Sequence, residues 1–224
     1  MSTEEGPSAT RGEEDGETVV LLKEPATGAV AAIAPSIGSN VFRFEKTIND
    51  SLVKVIAAPP SLPVLRKLPT RWGAGVLFPY PGSISGDSFK FQGEEIHLLP
   101  DLAAGHAMHG IVRRKAWRIV DLGADPVHGA WTTTSLDTTE DGISPQEWPY
   151  PFEISLTIQL LLGNLRTTVL IRNTGEKPMP FGLGFHPYFP TPLGPKGDME
   201  SCEVQIPAGY KWGDLCAISV TTAG

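Results

Sequence analysis

The feature that most constrains this chain is a long hairpin in its second half. Residues Phe152 to Leu162 and Leu165 to Asn173 read as two strands around Gly163-Asn164, a strong tight-turn signal. A hairpin of that length needs a second layer to cover its apolar face. Short strands read along the rest of the chain. Thr18 to Lys23 and Ala29 to Ile33 form a plausible hairpin, closed by Pro25 to Gly28. Asn40 to Phe44, Ser51 to Ala57, Ser88 to Phe91, Glu95 to Leu99, Trp117 to Leu122, Trp131 to Ser135 and Cys202 to Ile206 follow. Pro59 to Leu65 is too proline-rich for an inner strand, and Leu77 to Gly86 reads as a loop. With 24 glycines and 21 prolines in 224 residues, turns are plentiful and no helix longer than two turns is expected. The economical reading is an all-β sandwich of many strands, one domain from residue 18 to the end.

Charge narrows the partners. The formal net charge is -7, which argues against a nucleic-acid surface. Residues 1–17 hold six of the acids against one Arg11 and almost no large apolar side chain, so they are expected to form a disordered acidic tail. That start is neither basic nor apolar, unlike a signal peptide, and no run is long enough for a membrane helix. Cys202 and Cys216 set no disulfide framework, so a reducing cytoplasm is the expected location.

Two stretches could carry chemistry. In Pro180-Phe181-Gly182-Leu183-Gly184-Phe185-His186-Pro187-Tyr188-Phe189-Pro190, strand alternation puts Phe181, Leu183 and Phe185 on one face, fit for a core. Gly182, Gly184 and His186 fall on the other, where the glycines clear room for a ligand. Pro187 ends the ladder and leaves His186 at a strand end. The bland alternative is a core strand with a satisfied histidine. The second stretch, His106 to Trp117, packs two histidines, two arginines, a lysine and an indole ahead of a strand. It reads equally as a basic turn leading into a core Trp117. His106, His109 and His186 as a zinc set is disfavoured, because H-x-x-H in extended chain points the rings to opposite faces. No G-x-S-x-G elbow presents a serine, and no Gly-rich phosphate loop is present.

Taken in order, Leu77-Phe78-Pro79-Tyr80-Pro81, Phe91-Gln92-Gly93, His109-Gly110 with Arg113 and Trp117, and Gly184-Phe185-His186-Pro187-Tyr188-Phe189 resemble the galactose mutarotase (aldose 1-epimerase) family. The resemblance implies a β-supersandwich with a sugar site on a concave sheet face. It implies interconversion of the α and β anomers of an aldohexose, with no metal or redox cofactor. The ring oxygen takes a proton, the C1 hydroxyl loses one, and the open aldehyde turns before the ring closes again. By resemblance His186 is the general acid and His109 binds and polarises around C1 and the ring oxygen. Arg113, Tyr188 and Trp117 are the expected substrate-binding residues, the aromatics against sugar C–H faces. The expected partner is a small sugar, not nucleic acid or membrane.

The chain also departs from the family pattern. Gly82-Ser83-Ile84 stands where the family often has Asn-Arg-Ile, and His106 stands at a usual Asn. The family's general base is a late glutamate, and no glutamate here has its context. The expectation is therefore an N-terminal two-thirds of the family fold, incomplete at its C-terminus. Two other readings stand beside the 1-epimerase: a hexose-6-phosphate mutarotase with Arg113 or Arg114 on the phosphate, and a carbohydrate-binding module without turnover.

Overall fold

The structure is a computed structural model that describes residues 5–101, 104–194, 197–206 and the backbone of 220–221. Among the described residues fifteen strands and one short α-helix follow in order. They are β1 (Ser8–Glu14), β2 (Glu17–Glu24), β3 (Ala29–Ala34), β4 (Asn40–Ile48), β5 (Ser51–Ile56), α1 (Leu62–Lys67), β6 (Ala74–Leu77), β7 (Ser88–Phe91) and β8 (Glu94–His97). After these come β9 (Arg118–Asp125), β10 (Gly129–Asp137), β11 (Phe152–Leu161), β12 (Asn164–Asn173), β13 (Gly184–Pro187), β14 (Val204–Gln205) and β15 (Val220–Thr221). The fold is all-β. A seven-stranded sheet runs β1-β2-β3-β4-β6-β13, with β5 also on β4, and a four-stranded sheet runs β12-β11-β10-β9.

The two sheets face each other. Val20, Leu22, Ile33 and Phe44 of the larger sheet share a core with Ala130, Ile158 and Leu160 of the smaller. Next to it, Val76 and Phe78 pack with Leu136, Phe152, Ile154 and Leu156. The inner positions of β11 alternate strictly with half-buried ones, and each fully buried aliphatic or aromatic side chain stabilises by roughly 1.5–3 kcal/mol. The far side of the larger sheet is covered at one place by α1, through Leu62 and Leu65 on Ala32, Ala34 and Phe42. Pro63 at the start of α1 needs no intrahelical N–H partner, which is how a proline-rich stretch becomes a helix. Among the described residues no helix is long and apolar enough to cross a membrane.

Four expectations need correction. The acidic segment is not a free tail: Ser8 to Glu14 pairs with Lys23 to Glu17 along β2. Glu17 accepts from the Arg66 guanidinium and from Ser36, and Asp15 accepts from the backbone N–H of Leu62. Backbone pairing and charge partners on α1 hold a segment that has few apolar side chains to bury.

The hairpin turn is also shifted by one residue. Leu161 pairs with Asn164, and the two-residue loop is Leu162-Gly163, with φ of 50° and 67°. Both residues sit in the left-handed region that a tight two-residue turn requires. Leucine is a poor residue for it, and the turn is held from outside. The buried Glu24 carboxylate accepts the N–H groups of Leu162 (2.6 Å) and Gly163 (2.5 Å). Lys46 Nζ donates to the Gly163 carbonyl. Burial works against the Glu24 charge, but bonds from Thr27, Gly163 and Leu162 and nearby Lys46 outweigh it and hold the carboxyl below its usual range.

Trp117 does not line a cleft. It is buried in the core, and its indole N–H donates to the Val112 carbonyl. The fourth correction concerns the strip around His186. Phe181 and Phe185 are 58% and 43% exposed, while the glycine face is the covered one. A Cβ on Gly182 would lie 2.7 Å from Pro81 Cδ, and one on Gly184 would lie 3.0 Å from Pro81 Cβ. The glycines thus make room for Pro81, not for a ligand.

Candidate active site

One strand positions both candidate histidines. β6 pairs with β13, setting His186 opposite Gly75 and Gly184 opposite Leu77. The chain then leaves β6 through Phe78 to Ser83, and the His109 loop docks on that segment. Ile111 N–H donates to the Phe78 carbonyl, His109 N–H to the Gly82 carbonyl, and Ile84 N–H to the Ala107 carbonyl. The approach is close: a Cβ on Gly110, which has φ of 66°, would lie 2.0 Å from the Phe78 oxygen. Glycine at 110 is required by both space and backbone conformation.

The result is a compact group of rings. The His109 and His186 rings are 5.2 Å apart, edge to face at 71°. Tyr188 stacks on His186 at 5.2 Å and 22°. Tyr188 is itself fixed on both sides of its backbone, donating to the Gly73 carbonyl and accepting from the Ala57 N–H. All three side chains are half-buried, so they reach solvent.

The protonation of His109 follows from its contacts. Its Nδ1 accepts the Gly82 N–H at 3.2 Å, which leaves the proton of the neutral ring on Nε2. Burial, then the adjacent His186 and Arg113, lower its pKa against a smaller opposing effect of Asp101. His109 is therefore neutral near pH 7 and can donate a hydrogen bond from Nε2. His106 does not join the pair; its Nε2 lies 3.1 Å from Ser83 Oγ. Among the described residues no group of three His, Cys, Asp or Glu is arranged for a metal.

The profile of the aldose 1-epimerase family matches residues 24–217. This chain belongs to that family. Its curated relatives include the uncharacterized Escherichia coli K12 proteins YphB, 30% identical over 115 residues, and YihR, 28% identical over 117. Those matches cover 51% and 50% of this chain but 36% and 34% of the relatives. A galactose mutarotase-like protein from Clostridium acetobutylicum superposes with a TM-score of 0.76 at 21% identity, over 88% of this chain and 57% of the other. A putative aldose 1-epimerase from E. coli K12 gives 0.58 at 20% identity, over 83% and 53%. The chain thus spans about a third of the length of the curated relatives and just over half that of the solved neighbours.

Within this family member, the structure brings together His109, His186 and Tyr188. It takes Arg113 elsewhere. Arg113 is buried, with Nη1 donating to the Gly110 carbonyl at 2.8 Å and Nη2 paired with Asp101. Arg113 supports the His109-Gly110 turn from behind. Sequence reasoning missed the roles of Gly82 and Pro81, one orienting His109 and the other filling the glycine strip. The motif L-F-P-x-P was visible, but which segment it would touch was not.

Proposed function

We propose that this chain contributes the acid side of a carbohydrate 1-epimerase site that interconverts the α and β anomers of an aldohexose. The observation that carries the reading is the pair of half-buried rings 5.2 Å apart, with His109 Nδ1 accepting from Gly82. Membership of the aldose 1-epimerase family supports it. Ring opening needs a proton at the ring oxygen as the C1–O bond breaks, and His186 supplies it as general acid. His109, neutral and with its proton on Nε2, donates a hydrogen bond to the oxygen at C1 or in the ring. That bond strengthens as negative charge develops there. Tyr188 holds the His186 ring plane by stacking on it. Among the described residues no carboxylate is hydrogen-bonded to either ring, so the proton of the C1 hydroxyl passes to a base that this pair does not supply.

The test is anomer exchange followed by polarimetry. His186→Ala in the intact protein should lower kcat by about 10²–10⁴, the usual span for a lost general acid. A variant within about threefold of wild type would remove His186 from the role.

A further inference from the structure

A buried ion pair stands next to the turn that carries His109. The Arg113 and Asp101 side chains are 4% and 7% exposed and meet through Arg113 Nη2. Arg113 reaches the turn through the backbone: its Nη1 donates to the carbonyl of Gly110, the residue after His109, at 2.8 Å. Asp101 secures the other end. Its carboxylate accepts the Ala104 N–H and Arg114 Nε–H, and its backbone N–H donates to the His106 carbonyl. One carboxylate thus ties the loop before His109 to both arginines of the short turn after Gly110.

Stability alone does not account for such a pair. Taking two charges out of water costs about as much as their attraction returns, and an apolar pair of like volume does as well or better. What the pair offers instead is geometry and field. The guanidinium fork holds a carbonyl and a carboxylate at once, which a single ammonium cannot do in the same plane. The His109 ring feels His186, Arg113 and Asp101. A nearby guanidinium opposes a second proton on the ring, and a carboxylate favours one. The other ionisable groups on the packed segments are engaged elsewhere or neutral. Tyr80 has its hydroxyl pKa raised, chiefly by burial, and His106 lies against Ser83. Asp87 accepts the Ala107 N–H, and Lys115 pairs with Glu147. A second proton on His109 would remove the Nδ1 lone pair that accepts from Gly82.

We propose that Arg113 and Asp101 form a positioning pair for His109: the guanidinium fixes the Gly110 carbonyl and keeps the ring singly protonated, and the carboxylate holds the guanidinium there. The pair touches no substrate and acts only through His109. This rests on the reading of His109 as a hydrogen-bond donor to the sugar. It also gives a reason for the burial of an arginine whose expected place was at the ligand.

The experiment follows the His109 ring by NMR in isotope-labelled protein, alongside anomer exchange by polarimetry. The variants are Asp101→Asn, Arg113→Gln and the double change Arg113→Met/Asp101→Leu. The double variant strands no buried charge, so it keeps the test open where a single variant fails to fold. Asp101→Asn should lower the pH at which His109 titrates, and Arg113→Gln should raise it. The acid limb of kcat should move the same way in each. The double variant should show two ring tautomers in place of one. Its kcat should fall by roughly 10–100-fold, as for a misplaced catalytic group, with KM within about threefold of wild type. Unchanged His109 titration in both single variants would overturn the pair, as would a wild-type tautomer and kcat in the double variant. A raised KM at unchanged kcat would also overturn it, by placing Arg113 on the substrate. Absence of anomer exchange in the wild type would sink the reaction assigned to the histidines, while the ring titration would still decide on the pair.

Discussion

β11 and the strip that ends in β13 carry the same kind of pattern and meet opposite fates. In β11, Phe152, Ile154, Leu156, Ile158 and Leu160 alternate with half-buried residues and are themselves sealed from solvent. In the strip, Phe181, Leu183 and Phe185 alternate with Gly182, Gly184 and His186, yet the phenylalanines are exposed and the glycines are covered. The difference lies in the neighbours. β11 is paired on both edges and has the larger sheet over its inner face. Among the described residues β13 pairs on one edge, with β6, and Pro81 takes the space above its glycines. Period-2 alternation separates two faces; it does not say which one is inside.

That contrast can be broken by substitution. Phe152→Ala removes a fully buried ring that contacts Phe78 edge to face, and should cost about 3–5 kcal/mol in urea unfolding. A loss below about 1 kcal/mol would mean that β11 is not the centre of the core. Gly184→Leu should come next, at about 1–3 kcal/mol, because the new side chain must displace Pro81. It should also lower kcat, since the same strand carries His186. A neutral result would restore the reading of an open glycine strip.

Glu24→Gln tests how the β11–β12 hairpin is tied to the larger sheet. It should cost about 1–3 kcal/mol, as charge-assisted bonds to Leu162 and Gly163 weaken. The wild type should show the matching pH dependence. The Glu24 carboxyl is held below its unfolded value near 4.5, so its contribution is present above that pH. That contribution is lost as pH falls through the lower folded value. The variant should lack this part of the acid limb, and identical limbs would take the carboxylate out of the clamp. Phe185→Ser should have the smallest effect, within about 0.5 kcal/mol, since the residue is 43% exposed already. A loss like that of Phe152→Ala would show that something covers this face.

Most strands were legible because their signals are local: β-branched and aromatic runs bounded by Gly, Pro and Asn. The Ser88–Phe91 strand matches its expected bounds, and the strand from Asn40 was found but runs further, to Ile48. β1 was not legible. An acidic, sparsely apolar segment looks solvated until β2 pairs with it and Arg43 comes beside Glu14. β6 was missed for a similar reason. Ala74-Gly75-Val76-Leu77 has weak strand character alone, and it is fixed by pairing with β4 and β13.

At the site, the sequence by itself determined which residues can exchange protons near pH 7 and that His186 would stand where Pro187 ends a strand. It also determined a covered two-layer β fold, since a hairpin of ten-residue strands with one apolar face cannot stand in water alone. Only the tertiary structure decided that His109 and His186 meet, because their contact depends on β6 pairing with one segment and anchoring the other. It alone gave His109 its tautomer, through a backbone N–H that reaches it across the loop. It also sent Arg113 and Trp117 into the interior, away from the cleft they were expected to line. Side-chain type is a property of the chain, whereas burial and partners belong to surfaces that exist only after distant segments have packed.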